Sequence, residues 1–204
     1  MTAHETIPIA DQRSAEILIS ARAAFAEKGF DGASMQDIAR KAGMSVGNFY
    51  RYFASKSAIV EALIEADLAR MEQDFATIIG HADPIAALRE TILRRMSDES
   101  CTEDGQIWAE ITAAASRKPE IAAITARMEQ RIVHYMCTVF ARATGVEVET
   151  ALKRWVAHAQ MIIVLVKSST VSCTYQDPSP EMSALLVRTI DRTLSEISDS
   201  VLKV

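Results

Sequence analysis

SMQDIARKAGMSVGNFYRYFASK, residues 34–56, reads as two short helices joined by a tight turn. The Ser34 hydroxyl can accept from the backbone N–H of Asp37 while the Asp37 carboxylate reaches back, a capping-box start. Ile38, Ala39 and Ala42 then face inward, and the small alanines let a neighbouring helix approach closely. Gly43 supplies the tight turn, and Ser45 is a good N-cap for a second helix, VGNFYRYF. Two short helices separated by a glycine turn of a few residues make a helix-turn-helix.

The second helix carries the informative chemistry. Val46, Gly47 and Asn48 are short, and Gly47 removes bulk where backbone must come close to a base edge. Phe49 and Phe53 are four apart and can lock this helix onto the first. Tyr50 and Tyr52 flank Arg51 and can present hydroxyls and a guanidinium to phosphates or bases. Lys56, one turn further, is placed for a phosphate. Between Met35 and Lys56, Arg40, Lys41, Arg51 and Lys56 stand against Asp37 alone, although the whole chain carries a formal charge of −5. DNA affinity follows local phosphate neutralisation rather than total charge. The same aromatics also suit a plain core, so a three-helix unit without a DNA partner stays open at this point.

On the N-terminal side, Asp11 can cap a helix that places Ile17, Leu18, Ala21, Ala24 and Phe25 on one face. Its end is Lys28-Gly29-Phe30. Gly29 suits the left-handed position after a helix, and Phe30 can fold back onto the last turn. The arm before Ile9 is expected to be without order.

The stretch ILISARAAFAEKGFDGASMQDIARKAGMSVGNFYRYFASKSAIVEAL, about a quarter of the chain, resembles the DNA-binding domain of the TetR (tetracycline repressor-like) family. Ala24-Phe25, Gly29-Phe30, Ile38-Ala39, Ala42-Gly43, Ser45, Gly47, Tyr50, Tyr52-Phe53 and Lys56 carry the resemblance. It implies a homodimer whose two recognition helices enter successive major grooves of double-stranded DNA. Gln36, Val46, Gly47, Asn48 and Arg51 are then candidates near bases, and Ser34, Tyr50, Tyr52 and Lys56 candidates for phosphates. One departure is the base-facing start Val46-Gly47-Asn48, where many relatives carry longer polar side chains or Thr. Val46 against a thymine methyl, and Asn48 against adenine or a phosphate, fit these positions.

Farther on, a long helix is predicted from after Ser55 to about Ile79, with Ile59, Leu63, Ala66, Met71 and Phe75 inward. Asp83-Pro84 then caps and opens a helix bearing Ile85, Leu88, Ile92 and Met96. Ser97 to Gly105 reads as a loop, followed by a helix around Ile107 to Ser116. Lys118-Pro119 opens a long helix to about Ala143, and Thr144-Gly145 ends it. The next helix, about Val148 to Ser168, carries Trp155 and MIIVLV. Ser169 to Ser179 reads as a polar loop, and Pro180 starts a last helix with Met182, Leu186, Ile190, Leu194, Ile197 and Val201. The last two long helices are apolar around much of their circumference. Their surplus apolar surface predicts a four-helix dimer interface.

The expected architecture is all-α: an N-terminal arm and helix-turn-helix DNA-binding domain over 1–56, and a helical ligand-sensing and dimerisation domain over 57–204. Seven glycines and five prolines in 204 residues agree with long helices. A ligand cavity among the middle helices is implied by the family. Met71, Phe75, Met96, Trp108, Thr112, Met128, Tyr135 and Met161 are its candidate lining, with Trp108, Thr112 and Tyr135 as polar handles in an apolar wall. An apolar or amphipathic small-molecule effector is favoured, and the usual outcome in the family is relief of repression.

Other classes fare worse. No Walker loop, GxSxG, HExxH or dinucleotide fingerprint occurs, so no catalytic site, metal or cofactor is expected. His134 and Cys137 are three apart but one ligand pair short of a zinc site. Cys101, Cys137 and Cys173 are odd in number and widely spaced, which points to a reducing compartment. A thiol-redox sensor, or a constitutive DNA-binding protein without a ligand, is the alternative. The start lacks the pattern of a signal peptide, and the apolar run Met161 to Val166 is far short of the ~20 residues that span a bilayer. The expected location is the cytoplasm.

Overall fold

A computed structural model describes residues 9–97, 101–172 and 179–200. The described residues are mostly helical, with no strand among them. The order is α1 (Ile9–Gly32), α2 (Met35–Lys41), α3 (Val46–Phe49), α4 (Lys56–Gly80), α5 (Pro84–Ser97), α6 (Cys101–Ala115), α7 (Pro119–Thr144), α8 (Val148–Ser172) and α9 (Pro180–Asp199).

Local chemistry explains most of the boundaries. The Ser34–Asp37 capping box forms in full: Asp37 N–H donates to Ser34 Oγ at 3.1 Å, and Ser34 N–H donates to Asp37 Oδ2 at 3.0 Å. Ser45, Ser55 and Ser179 accept from Asn48, Ala58 and Met182 at the starts of α3, α4 and α9. Asp83 accepts from the Ala86 N–H at 2.9 Å at the start of α5. Gly43, between α2 and α3, has φ 63°, which a side chain would strain. Gly29 (φ 73°, ψ 164°) breaks α1 and turns its last residues aside. Phe30 thereby folds back, its ring 5.4 Å from that of Phe25.

Two apolar cores result. The first joins Ile17, Phe25 and Phe30 of α1 to Ile38, Phe49, Ile59 and Leu63, and runs on into Ile107, Ile111 and Ala114 of α6 and Ile121 of α7. The second lies among α4, α5, α7, α8 and α9, around Phe140, Trp155, Ile162, Ile190 and Leu194. The first core crosses residue 56 without a break, so packing does not part the chain there.

Several boundaries differ from the sequence reading. Asp11 lies inside α1 rather than before it, because no helix breaker stands between Ile9 and Lys28. The predicted helix VGNFYRYF keeps helical form only over Val46–Phe49, and Tyr50 to Tyr52 form turns. The N–H groups of both Tyr52 and Phe53 converge on the Phe49 carbonyl, which tightens the chain into that turn. Of the loop assigned to residues 97–105, Ser97 ends α5 and Cys101 onward belongs to α6, and of that assigned to 169–179, α8 takes the part through Ser172; residues 98–100 and 173–178 lie outside the described residues. Polar residues packed within a helix read like a loop: Ser169 is buried, and the Thr170 hydroxyl donates to the Val166 carbonyl one turn back. The inward-facing expectation also fails for Ala66, which is exposed.

Candidate functional site

The reading head is α1 to α3 with the start of α4. Its inner face is apolar: Phe49 is fully buried, and Phe53 lies beside it with ring centroids 6.2 Å apart. Because Phe49 is fixed in the core, the residues around it turn outward. Gly47, Asn48, Arg51 and Tyr52 are exposed, Tyr50 is 50% exposed, and Val46 is half-buried. Ser34 and Gln36, at the start of α2, are also exposed. Nothing stands within 4 Å of where a side chain on Gly47 would begin, so that position faces open space.

Charge on the head is largely committed. Lys28 pairs with Asp37 at 2.8 Å, and Lys41 pairs with Glu27 at 2.5 Å. The Lys28 ammonium, then the Ser34 hydroxyl and N–H, hold the Asp37 carboxyl well below the usual carboxylate range. Arg51 has no ion-pair partner recorded among the described residues and stands out in solvent. Lys56 is elsewhere than the sequence placed it. Its ammonium donates to the carbonyls of Phe30 at 2.6 Å and Asp31 at 3.2 Å, and lies 4.9 Å from the centre of the Phe30 ring. Carbonyls at the end of a helix attract cations, and they have taken this one. Burial lowers its pKa from the ordinary lysine value.

A cavity of about 750 Å³ opens between α4, α5, α6, α7 and α8. Met71, Phe75, Trp108, Thr112 and Met128 line it, five of the eight candidates. The other three are corrected. Met96 is half-buried in the second core, and Tyr135 stacks on Phe75 at 5.3 Å from outside the cavity. Met161 is 52% exposed and turned out of the cavity, which its neighbour Ile162 does line. One position along a helix turns a side chain by about 100°. Helical spacing marks which residues share a face but not which face meets the hollow.

Sequence reasoning missed the polar rim. Arg95 pairs with Asp74 at 2.8 Å across α5 and α4, and Lys167 pairs with Glu129 at 2.5 Å across α8 and α7. Deeper in, Asp67 of α4 is 7% exposed and accepts from Arg22 of α1 at 2.6 Å and from Arg70. Ionic pairs between helices far apart in sequence leave no local signal, so only the single polar residue in the apolar face of α4, Asp67, could have hinted at this.

Residues 17–63 match the profile of the bacterial regulatory proteins of the tetR family. Over that segment the chain is similar to the TetR family. Escherichia coli (strain K12) UidR, an HTH-type transcriptional regulator, is 30% identical over 120 residues, 59% of this chain. The matched stretch spans 60% of the length of UidR. Mycolicibacterium smegmatis EthR, another HTH-type transcriptional regulator, is 37% identical over 87 residues, 42% of this chain and 40% of that protein. The fold recurs in solved structures of low identity. Salmonella enterica GusR superposes with a TM-score of 0.70 at 22% identity, over 94% of this chain and 98% of that one. Bacillus subtilis FadR, solved with stearoyl-CoA, gives 0.67 at 17% identity, over 90% of this chain and 97% of that one. These likenesses show the fold: an N-terminal helix-turn-helix and a C-terminal helical body. No helix among the described residues is long and apolar enough to cross a membrane.

Proposed function

We propose that this chain is a transcriptional regulator that binds a twofold-symmetric DNA operator as a homodimer and is released by a small-molecule effector. One observation supports the DNA half above all: a doubly capped helix-turn-helix buries Phe49 and Phe53 and turns Asn48, Tyr50, Arg51 and Tyr52 outward together. In this reading Gln36, Val46, Gly47, Asn48 and Arg51 approach bases, and Ser34, Tyr50 and Tyr52 approach phosphates. The division at residue 56 is then one of role, since the packing is continuous across it.

The dimer reading rests on the free faces of α8 and α9. Ala157, Met161, Val164 and Ser168 form one exposed stripe on α8, opposite buried Trp155, Ala159 and Ile162. Met182 and Leu185 are both 53% exposed on α9. A second copy laid against this face would bury it and space two heads by about 34–36 Å, the repeat of the major groove. The cavity supports the effector reading. Its walls are apolar, its rim carries ion pairs, and its volume falls within the ~300–1,000 Å³ range of small-molecule sites. An amphipathic effector suits that layout. A ligand that prefers one body geometry shifts the heads by its differential affinity.

Redox sensing through Cys137 is less well supported. The thiol is fully buried, and burial pushes its pKa up to about 11, away from the reactive thiolate. Cys173 lies outside the described residues. The deciding experiment selects duplexes from random fragments with the purified chain at low salt. A recurrent twofold-symmetric sequence is expected, and failure to retain any duplex would overturn the DNA reading.

A further inference from the structure

We propose that Glu110 is a positioning residue of the reading head, tying the bent end of α1 to the helix that walls the cavity. The inference rests on the DNA-binding reading above and adds the route by which the body sets the head.

Helix α6 has two working faces. Ile107, Ile111 and Ala114 are buried in the same core as α1, α2 and α3. Trp108, Thr112 and Ala115 line the cavity. One short helix therefore touches both the head and the space an effector would fill, and α1 packs more extensively on α6 than on α4.

On the head side, Glu110 Oε2 accepts the Phe30 N–H at 2.8 Å. Gly29 leaves the helical conformation one residue earlier, so this N–H points away from the helical ladder and takes the carboxylate instead. Gly29 also makes room for that carboxylate: a Cβ there would lie 3.1 Å from the same oxygen. The next residue is gripped as well. The Asp31 carboxylate takes Arg117 at 2.8 Å and Lys118 at 3.2 Å, both in the turn that joins α6 to α7. From the other side Lys56, the first residue of α4, donates to the Phe30 and Asp31 carbonyls.

These contacts form one joint. Its body half is Glu110, Arg117 and Lys118, its centre is Phe30 and Asp31, and its head half is Lys56. Tyr50 to Ser55 alone separate Lys56 from α3. A displacement of α6 by a cavity occupant is passed to Phe30 through a hydrogen bond and to Asp31 through two ion pairs. Lys56 then carries it to the start of α4 and the recognition segment.

The test uses the full-length chain and a duplex selected by the wild-type protein. Glu110→Ala should weaken binding about tenfold while the melting temperature stays within a few degrees. Glu110→Gln, whose amide oxygen can still accept from Phe30, should stay within about threefold of wild type. Amide hydrogen exchange at Phe30 should speed up in the Ala variant and stay slow in the Gln variant. Thr112→Phe, which pushes bulk into the cavity from α6, should weaken binding in the wild-type background and add less than about twofold to Glu110→Ala. Wild-type affinity in Glu110→Ala with a freely exchanging Phe30 amide, or additive effects in the double variant, would overturn the proposal. Should Glu110→Ala not fold, Asp31→Asn carries the same test: a several-fold loss of affinity at unchanged melting is expected, and undiminished affinity sinks it. A wild-type chain that selects no duplex brings down the DNA reading first, and this one with it.

Discussion

Phe49 and Tyr50 are neighbours in sequence, yet one is fully buried and the other half exposed. Burying an aromatic ring is worth a few kcal/mol, so Phe49 and Phe53 set the rotation of the segment, and the polar residues between them take the outer side. Arg51 is the clearest consequence, a guanidinium held out with five donors in a planar fork. Arg51→Ala is expected to cost about 1–3 kcal/mol of binding to a selected duplex and to relax preference at one base position, as read by titration against single-base variants. Lys56→Ala makes a different prediction. Its ammonium serves the Phe30 and Asp31 carbonyls, so the variant should melt lower and bind more weakly with an unchanged slope of log affinity against log salt. A free phosphate contact would instead lower that slope by about one.

At the level of the element, α2 and α3 are too short to persist alone, and their ends decide whether they form. Replacing Ser34 by Ala removes the acceptor for the Asp37 N–H and should cost about 1 kcal/mol in denaturant unfolding. Asp37 supplies the pH dependence. Its folded pKa is depressed, first by Lys28, so its stabilisation is full above the unfolded value of ~3.9 and is lost as pH falls through the lower folded value. The melting difference between wild type and Asp37→Asn should therefore be constant above about pH 5 and shrink below about pH 4. A difference that grew on acidification would contradict the ion pair with Lys28.

For the whole molecule, the unpaired face of α8 and α9 is the feature a single chain leaves unexplained. If the proposed dimer forms through this face, Val164→Glu or Leu185→Glu should give a monomer in sedimentation and weaken binding to a selected duplex by more than tenfold, because one head alone makes half the contacts. Trp108 offers a check on the cavity. An amphipathic occupant should shift its emission, and Thr112→Phe should abolish that shift, whereas Met161→Ala, on the outer side of α8, should leave it intact.

Helix content, the two caps of the head and the outward set around Arg51 were legible because each depends on residues within about one turn of one another. Ser34 finds Asp37, Ser45 finds Asn48, and Gly43 turns the chain, whatever the rest does. The same locality made the resemblance to the TetR family visible from residues 17–63. The assignments that shifted, namely Met161 out of the cavity, Lys56 onto the end of α1 and the joint at Glu110, depend on partners that approach only when the chain packs. Glu110 meets Phe30 across eighty positions and Asp67 meets Arg22 across forty-five. A hydrogen bond between distant residues imposes no period on either stretch, so its existence is a property of packing rather than of pattern.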